Sequence, residues 1–405
     1  MRALFTTIGS PSHGRAQLPL VRALAAAGHE VRVATTRPIA PVFENDDVDV
    51  ATCIDDIEPG SHVMRHLEEI ARNPDLSEEQ QREGLKRAMS ESLADGMARD
   101  LLGALLPVVR DFRPDVILRD GMDLSSVLMG EMLGIPQLPT PSGASNSLDP
   151  ADMLPGLNVL RRENGLPERA DPLSIVPQGR IDYVPAAFSF ASHMPVSRAY
   201  RQAVAVDRAS VLPRWVAELP TDRPLVFAAL GTALPIIRAK QREKDAPEMP
   251  FKIADPVETL RAIVRAASLL DECTVVVSTS GIPTEIDGLP PHVHITEHLP
   301  QPLLLESVDL LLTHGGFNSI REALRTATPL AVLPHFGDQF DNARRVEELG
   351  IGREITDVTP DGIAAVCRAV LADATAAART RRARLAMLAL PEIDSAVADL
   401  EQLAG

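Results

Sequence analysis

Aromatic side chains are scarce in this chain of 405 residues: they make up 3% of it, with one tryptophan and two tyrosines, so the 45% hydrophobic content leans on Ala, Leu and Val. Cysteine is scarcer still. Cys53, Cys273 and Cys367 are scattered and odd in number, which excludes a disulfide framework and a clustered zinc site and leaves packed thiols. No stretch reaches the roughly 18 uninterrupted apolar residues of a membrane span. Nor does a leader-like segment precede the apolar run at 3–8, so a cytoplasmic protein without membrane partners is expected. Positive charge is in deficit, with 40 Lys and Arg against 56 Asp and Glu and a formal net charge of −16. That balance excludes a nucleic-acid partner, because polyanion binding needs a net basic face. It also means that any phosphate group must be held locally, by dipoles, glycine N–H groups and a few His or Arg side chains. Internal repeats and low-complexity tracts are absent too.

What is present is alternation. Strand-like apolar runs and helical patterns succeed one another, which marks an α/β protein, and 405 residues suit two domains rather than one core. The polar turn Thr221-Asp222-Arg223-Pro224 sets the boundary, giving an N-terminal domain over 1–220 and a C-terminal domain over 221–405. The first opens Rossmann-like: a strand over 3–8, a loop at 9–14, a helix over 17–27 stopped by Gly28, then a strand over 31–36. That loop lacks G-x-G-x-x-G, with only Gly9 and Gly14 in it, so a dinucleotide pocket is poorly supported. Further on, 61–112 is mostly helical with a capping box at Ser77-Glu78-Glu79-Gln80, 116–119 is a strand ending at Asp120, and 124–133 is a helix. The second domain opens with a strand from Leu225 into Gly231-Thr232. The segment 235–255 is rich in Lys, Arg, Glu and Pro, has no hydrophobic period and reads as a solvated charge run.

The most informative stretch is 298–339. Within it 309–313 reads as a buried parallel strand, His314-Gly315-Gly316 as a glycine turn and 317–326 as a helix. Two glycines let the backbone approach a ligand closely, and the first N–H groups of a helix lack internal partners and carry its positive dipole end. Asn318 and Ser319 add donors in the first turn, and His314 adds an imidazole at the strand's carboxyl edge, where open α/β sheets bind ligands. A diphosphate fits such a cradle.

Four elements in order, His298-x-Pro300-Gln301, His314-Gly315-Gly316-Phe317-Asn318-Ser319, Glu322 and Asp338-Gln339, resemble the donor-sugar signature of the family 1 nucleotide-sugar-dependent glycosyltransferases. Within that family the chain is most similar to bacterial enzymes that decorate natural products with deoxysugars. The resemblance implies the α/β GT-B fold, two Rossmann-like doubly wound domains facing across a cleft, with the last helix returning to the N-terminal domain. It also implies that His314 and the turn from Gly315 to Ser319 hold the diphosphate near Gly231 and Thr232. Glu322 would then face the ribose, Asp338 and Gln339 would bond the sugar hydroxyls, and His298 and Gln301 would border the base. Neither a cofactor nor a metal is implied. Within this signature stretch two positions depart from the family pattern: His298 stands where plant relatives have a stacking Trp, and Ala327 where most members have Gly.

In the N-terminal domain the residues of interest are His13 and Asp120. An imidazole at the carboxyl end of the first strand can take a proton near neutral pH, although a lone loop histidine reads more readily as a helix cap or a merely exposed side chain. The resemblance implies a catalytic His there, sixteen residues before the position of His29, with Ser12 and Ala16 replacing the usual Gly and Pro. Asp120 ends a strand on the same edge and is placed to orient the imidazole; the alternative is a helix N-cap, a role open to Asp123 as well. For an acceptor, Met64 and Met89 offer adaptable apolar contacts, and Ser142, Ser145 and Asn146 lie in a Ser/Pro/Gly loop; core packing and turn formation are the alternatives.

The expected function is inverting transfer of a deoxysugar from a nucleotide-diphosphate sugar, TDP-linked, to a hydrophobic natural-product acceptor in antibiotic biosynthesis. A GT-B-like nucleotide-sugar 2-epimerase and a catalytically silent sugar-nucleotide-binding helper are the alternatives. The sequence leaves open the acceptor, the sugar, TDP against UDP, the linkage and a homodimer.

Overall fold

The computed structural model describes residues 1–54, 76–141, 146–202, 210–231, 255–283 and 288–405. Met64, Ser142, Ser145, Thr232 and all but the last residue of the 235–255 segment lie outside the described residues. By its internal contacts the chain divides into two compact units, Met1–Ala203 with Leu390–Gly405, and Val204–Ala389. The division falls earlier than the turn at 221. Trp215 belongs with the second unit, where it stacks on His294 with ring centroids 5.7 Å apart.

The first unit holds five parallel strands, β1 (Arg2–Thr6), β2 (Glu30–Thr35), β3 (Asp49–Thr52), β4 (Val116–Arg119) and β5 (Gln137–Pro139), in the spatial order β3-β2-β1-β4-β5. Strands covered on both faces read as apolar runs, and Leu4, Phe5, Val33, Ile117 and Leu118 are all fully buried. Two short strands, β6 (Arg180–Asp182) and β7 (Val196–Ala199), pair beside it. The second unit repeats the plan with β8 (Leu225–Ala229), β9 (Thr274–Ser278), β10 (Val293–Thr296), β11 (Leu310–Thr313), β12 (Leu330–Val332) and β13 (Gly352–Glu354), ordered β10-β9-β8-β11-β12-β13 and parallel throughout. In each sheet the direction of winding reverses once, between β1 and β4 and between β8 and β11. Such switch points are where doubly wound sheets bind ligands.

Two helices differ from the sequence reading. The helix expected over 17–27 spans Pro11–Ala26, because Ser10 is extended at the N-cap and Pro11 brings a pre-set helical φ to the first turn. His13 therefore sits on a helix, not in a loop. The helical region after Ser77 opens on the expected capping box, with the Gln80 N–H bonded to Ser77 Oγ at 3.2 Å. It then runs as Glu78–Ser92 and Ala98–Phe112 joined by a π turn at Leu93–Met97. The last helix, Ser395–Ala404, packs on the first unit: Ala396 and Leu400 are fully buried, and the Tyr200 hydroxyl donates to Asp399 at 2.6 Å.

Candidate active site

β1 and β4 are hydrogen-bonded neighbours, so the residues just past each strand meet at one edge. His13, in the first turn after β1, brings Nδ1 to 2.8 Å from Oδ2 of Asp120, which directly follows β4. The carboxylate is fully buried and the imidazole 16% exposed. Two backbone N–H groups hold Asp120 as well, Met122 to Oδ1 at 3.0 Å and Ile8 to Oδ2 at 3.4 Å. Asp123 takes the capping work. It accepts from the Ser126 N–H at 3.3 Å and from the hydroxyls of Ser125, Ser126 and Thr6 at 2.6, 2.5 and 2.7 Å. The two carboxylates thus divide the roles open to either in the sequence: Asp123 serves the helix and Asp120 faces the imidazole.

A residue the sequence reading passed over holds this loop in shape. Arg119, closing an otherwise apolar strand, is 1% exposed. Its Nε donates to Gln137 at 2.7 Å, Nη1 to the carbonyls of Asp120, Gly121 and Asp123 at 3.3, 3.2 and 3.3 Å, and Nη2 to that of Ile175 at 3.2 Å. Burial pushes its pKa down to about 10 against the attraction of Asp123 and Asp120, so it remains a cation at neutral pH. A lone arginine at the end of a buried strand was the available signal. Gln17 acts similarly under β1, donating to the Thr6 carbonyl and the Thr140 hydroxyl, each at 2.9 Å.

Of the candidate acceptor contacts, Met89 and Asn146 lie among the described residues. Met89 packs, partly buried, against the first unit's core. Asn146 is 1% exposed, and its Oδ1 accepts from Arg180 Nη2 at 2.8 Å, because a guanidinium buried that deeply needs acceptors; Asp182 supplies another at 3.1 Å.

In the second unit β11 lies beside β8, with Thr313 opposite Ala229. The His314 imidazole enters a slot between two glycines. A Cβ on Gly231 would lie 2.4 Å from its Cε1, and one on Gly316 2.4 Å from its Nε2. Gly316 has an ordinary negative φ of −64°, so space alone demands glycine there. Gly315, at φ +86°, meets both demands, since a Cβ would also strike Val332 at 2.8 Å. Burial pushes His314 down to about 4, the nearby His335 adds to this, and a hydrogen bond to the Ala229 backbone opposes it. The ring is neutral at physiological pH.

The helix Phe317–Thr326 starts from this turn. Gln301 Nε2 donates to Ser319 Oγ at 3.0 Å and to Glu322 Oε2 at 2.8 Å, joining those three into one cluster, while Asn318 Oδ1 accepts from Arg321 at 2.6 Å. Asp338 belongs with the turn through Asn342, whose Nδ2 donates to Asp338 Oδ2 at 3.0 Å and to the Gly315 carbonyl at 2.9 Å. Gln339 is 3% exposed, and its Oε1 accepts from the N–H groups of His335 and Phe336 at 2.9 and 3.3 Å. His298 stands apart, with its side chain 71% exposed and 3.3 Å from Glu297. Ala327, at φ +62°, occupies the left-handed end of the signature helix. Among the described residues no group of three or more His, Cys, Asp or Glu is placed to hold a metal ion, and no helix is long and apolar enough to cross a membrane.

Residues 22–231 match the family model of the erythromycin biosynthesis protein CIII-like N-terminal domain, and residues 261–403 that of its C-terminal domain. The chain is similar to the L-demethylnoviosyl transferase of Streptomyces niveus, with 26% identity over 94% of this chain and 93% of that one. It is similar also to the 3-alpha-mycarosylerythronolide B desosaminyl transferase of Saccharopolyspora erythraea, with 24% identity over 100% and 98% of the two chains. Its fold is that of a solved spinosyn rhamnosyltransferase of the GT-B class, at a TM-score of 0.77 and 23% identity over 99% of this chain and 100% of that one. That enzyme has also been solved with thymidine diphosphate and with the spinosyn aglycone.

Proposed function

The chain belongs to the erythromycin biosynthesis protein CIII-like family and is a glycosyltransferase of the antibiotic-biosynthesis type, and from that premise we propose that it transfers a deoxysugar from a thymidine-diphosphate donor to a hydrophobic natural-product acceptor, with inversion at the anomeric carbon. The acceptor hydroxyl binds at the first unit and the nucleotide sugar at the second. With Nδ1–H donating to Asp120, His13 takes the hydroxyl proton on Nε2 as the oxygen attacks the anomeric carbon. The carbon–oxygen bond to the diphosphate breaks on the opposite face, and its electron pair leaves with the diphosphate. Asp120 fixes the imidazole's tautomer and steadies the imidazolium that forms.

The leaving group's charge is met by the backbone N–H groups at the start of the helix Phe317–Thr326 and by His314, a task for preorganised dipoles that calls on no metal. Gln301 and Glu322 lie towards the nucleoside, and Asp338 with Gln339 towards the sugar. The relatives' names support the donor and acceptor classes: one is a demethylnoviosyl transferase, another a desosaminyl transferase of 3-alpha-mycarosylerythronolide B, and a structural neighbour has been solved with thymidine diphosphate and with an aglycone.

One observation carries the reading: an imidazole and a buried carboxylate meet at 2.8 Å on the ligand-binding edge of the first sheet. In the His13→Ala variant, transfer to an acceptor is expected to fall by roughly 10²- to 10⁴-fold, while thymidine diphosphate binding, followed by calorimetry, stays within error of wild type. Undiminished transfer would remove His13 from the mechanism.

A further inference from the structure

Resting on the donor reading above, we propose that His335 is a further nucleotide-contacting residue, whose Nε2 hydrogen-bonds an oxygen of the bound diphosphate. The residue follows β12 in the segment that leads to Asp338 and Gln339. The residue is only 9% exposed, and Nε2 is buried with no hydrogen-bond partner among the described residues. A buried ring nitrogen without a partner bears the full cost of its desolvation, so such an atom in a folded protein calls for a partner supplied from elsewhere.

Nothing in the backbone demands a histidine. Its N–H is already taken by Gln339 Oε1 at 2.9 Å, a bond that any residue other than proline would make. Location supplies the rest of the argument. Asn342 ties Asp338 to the Gly315 carbonyl, so the segment carrying His335 is strapped to the turn that bears His314. The two rings are close enough for His335 to disfavour protonation of His314. Burial keeps His335 neutral as well, down to about pH 4, and a neutral ring can carry its proton on Nε2 and donate it. A diphosphate lying on the glycine turn brings acceptor oxygens to the one region where this nitrogen lacks them.

The test is calorimetric titration of the full chain and of His335→Ala and His335→Gln with thymidine diphosphate, inorganic pyrophosphate, thymidine and a thymidine-diphosphate sugar, with thermal unfolding as the check of the fold. Loss of one hydrogen bond to a charged oxygen predicts about tenfold weaker binding of thymidine diphosphate and pyrophosphate by His335→Ala, with thymidine unaffected. Partial recovery is expected in His335→Gln, whose amide still offers an N–H. A folded variant that binds thymidine diphosphate like wild type overturns the inference, as does weakening confined to the sugar-bearing nucleotide, which would assign the contact to the sugar. Weakening of thymidine to the same degree would mark His335 as part of the scaffold and overturn it too. The underlying donor reading fails separately, through a wild-type chain that binds none of the nucleotides.

Discussion

His314 and His335 are imidazoles held in surroundings that refuse a proton, each pushed from the ordinary 6.5 down to about 4, chiefly by burial. The same two residues therefore make stability depend on pH. Below about 6.5 the unfolded chain binds protons at these positions that the folded chain does not, so acid draws the equilibrium towards unfolding. The loss begins as pH falls through about 6.5, grows until about 4, and levels off once the folded state also protonates. For two groups it amounts to several kcal/mol, on the order of 1.4 kcal/mol for each tenfold drop in the proton affinity of either ring. Urea denaturation at pH 7.5, 6 and 5 should show the midpoint falling with pH, and replacing both residues by glutamine should flatten that trend. A wild-type midpoint constant from pH 7.5 to 5 would contradict the burial of both rings. The reason for His314's burial lies in its neighbours, since Gly231 and Gly316 are the residues that leave room for a ring.

At the scale of elements, the loop after β4 depends on one cation. Arg119→Leu would keep much of the packing volume but remove five hydrogen bonds, taking the guanidinium donor from the Asp123 carbonyl and from Gln137 Oε1, while the Asp120 and Ile175 carbonyls keep the Asp123 N–H and Gln137 Nε2. A loss of about 2–4 kcal/mol in first-unit stability is expected, together with reduced transfer and unchanged nucleotide affinity. Differential scanning calorimetry with an activity assay on the same sample would check it, and an unshifted first-unit transition would count against it.

The strand ends were legible in the sequence because an apolar run that stops at Asp120, or at His314-Gly315-Gly316, announces both a buried strand and its ligand edge. The pairing that selects Asp120 over Asp123 was not legible. It is settled only in the fold, where Thr6, more than a hundred residues earlier in the chain, joins Ser125 and Ser126 on Asp123. Likewise the loop expected at 9–14 became a helix start because Ser10 and Pro11 act together as N-cap and first turn, a local signal read too late in the chain. His335 offered no pattern at all. A lone histidine between Pro334 and Phe336 reads as a turn residue until its burial is known.

On the scale of the whole molecule, two sheets of one winding plan are joined in a chain whose ends belong to the same unit. The final helix contributes Ala396 and Leu400 to the first unit's interior and Asp399 to Tyr200, while Arg201 N–H bonds the Pro391 carbonyl at 2.7 Å. Ending the chain after Ala389 should therefore destabilise the unit formed by residues 1–203 by about 2–4 kcal/mol, from the lost apolar burial and the bonds left open. Limited proteolysis is the convenient readout: cleavage is expected to quicken within 1–203 and to keep its wild-type rate within 204–389. Equal rates throughout in both forms would show the helix to be dispensable.

The same return of the C-terminus bears on how the molecule is made. Residues 204–389 form one continuous run and can reach their native contacts as soon as they emerge from the ribosome, whereas the unit begun before them must wait for residues 390–405, which are made only after the whole of the second unit. The unit begun earlier is thus finished after the later one, and its unsealed surface is what a nascent chain presents to chaperones until residues 390–405 emerge.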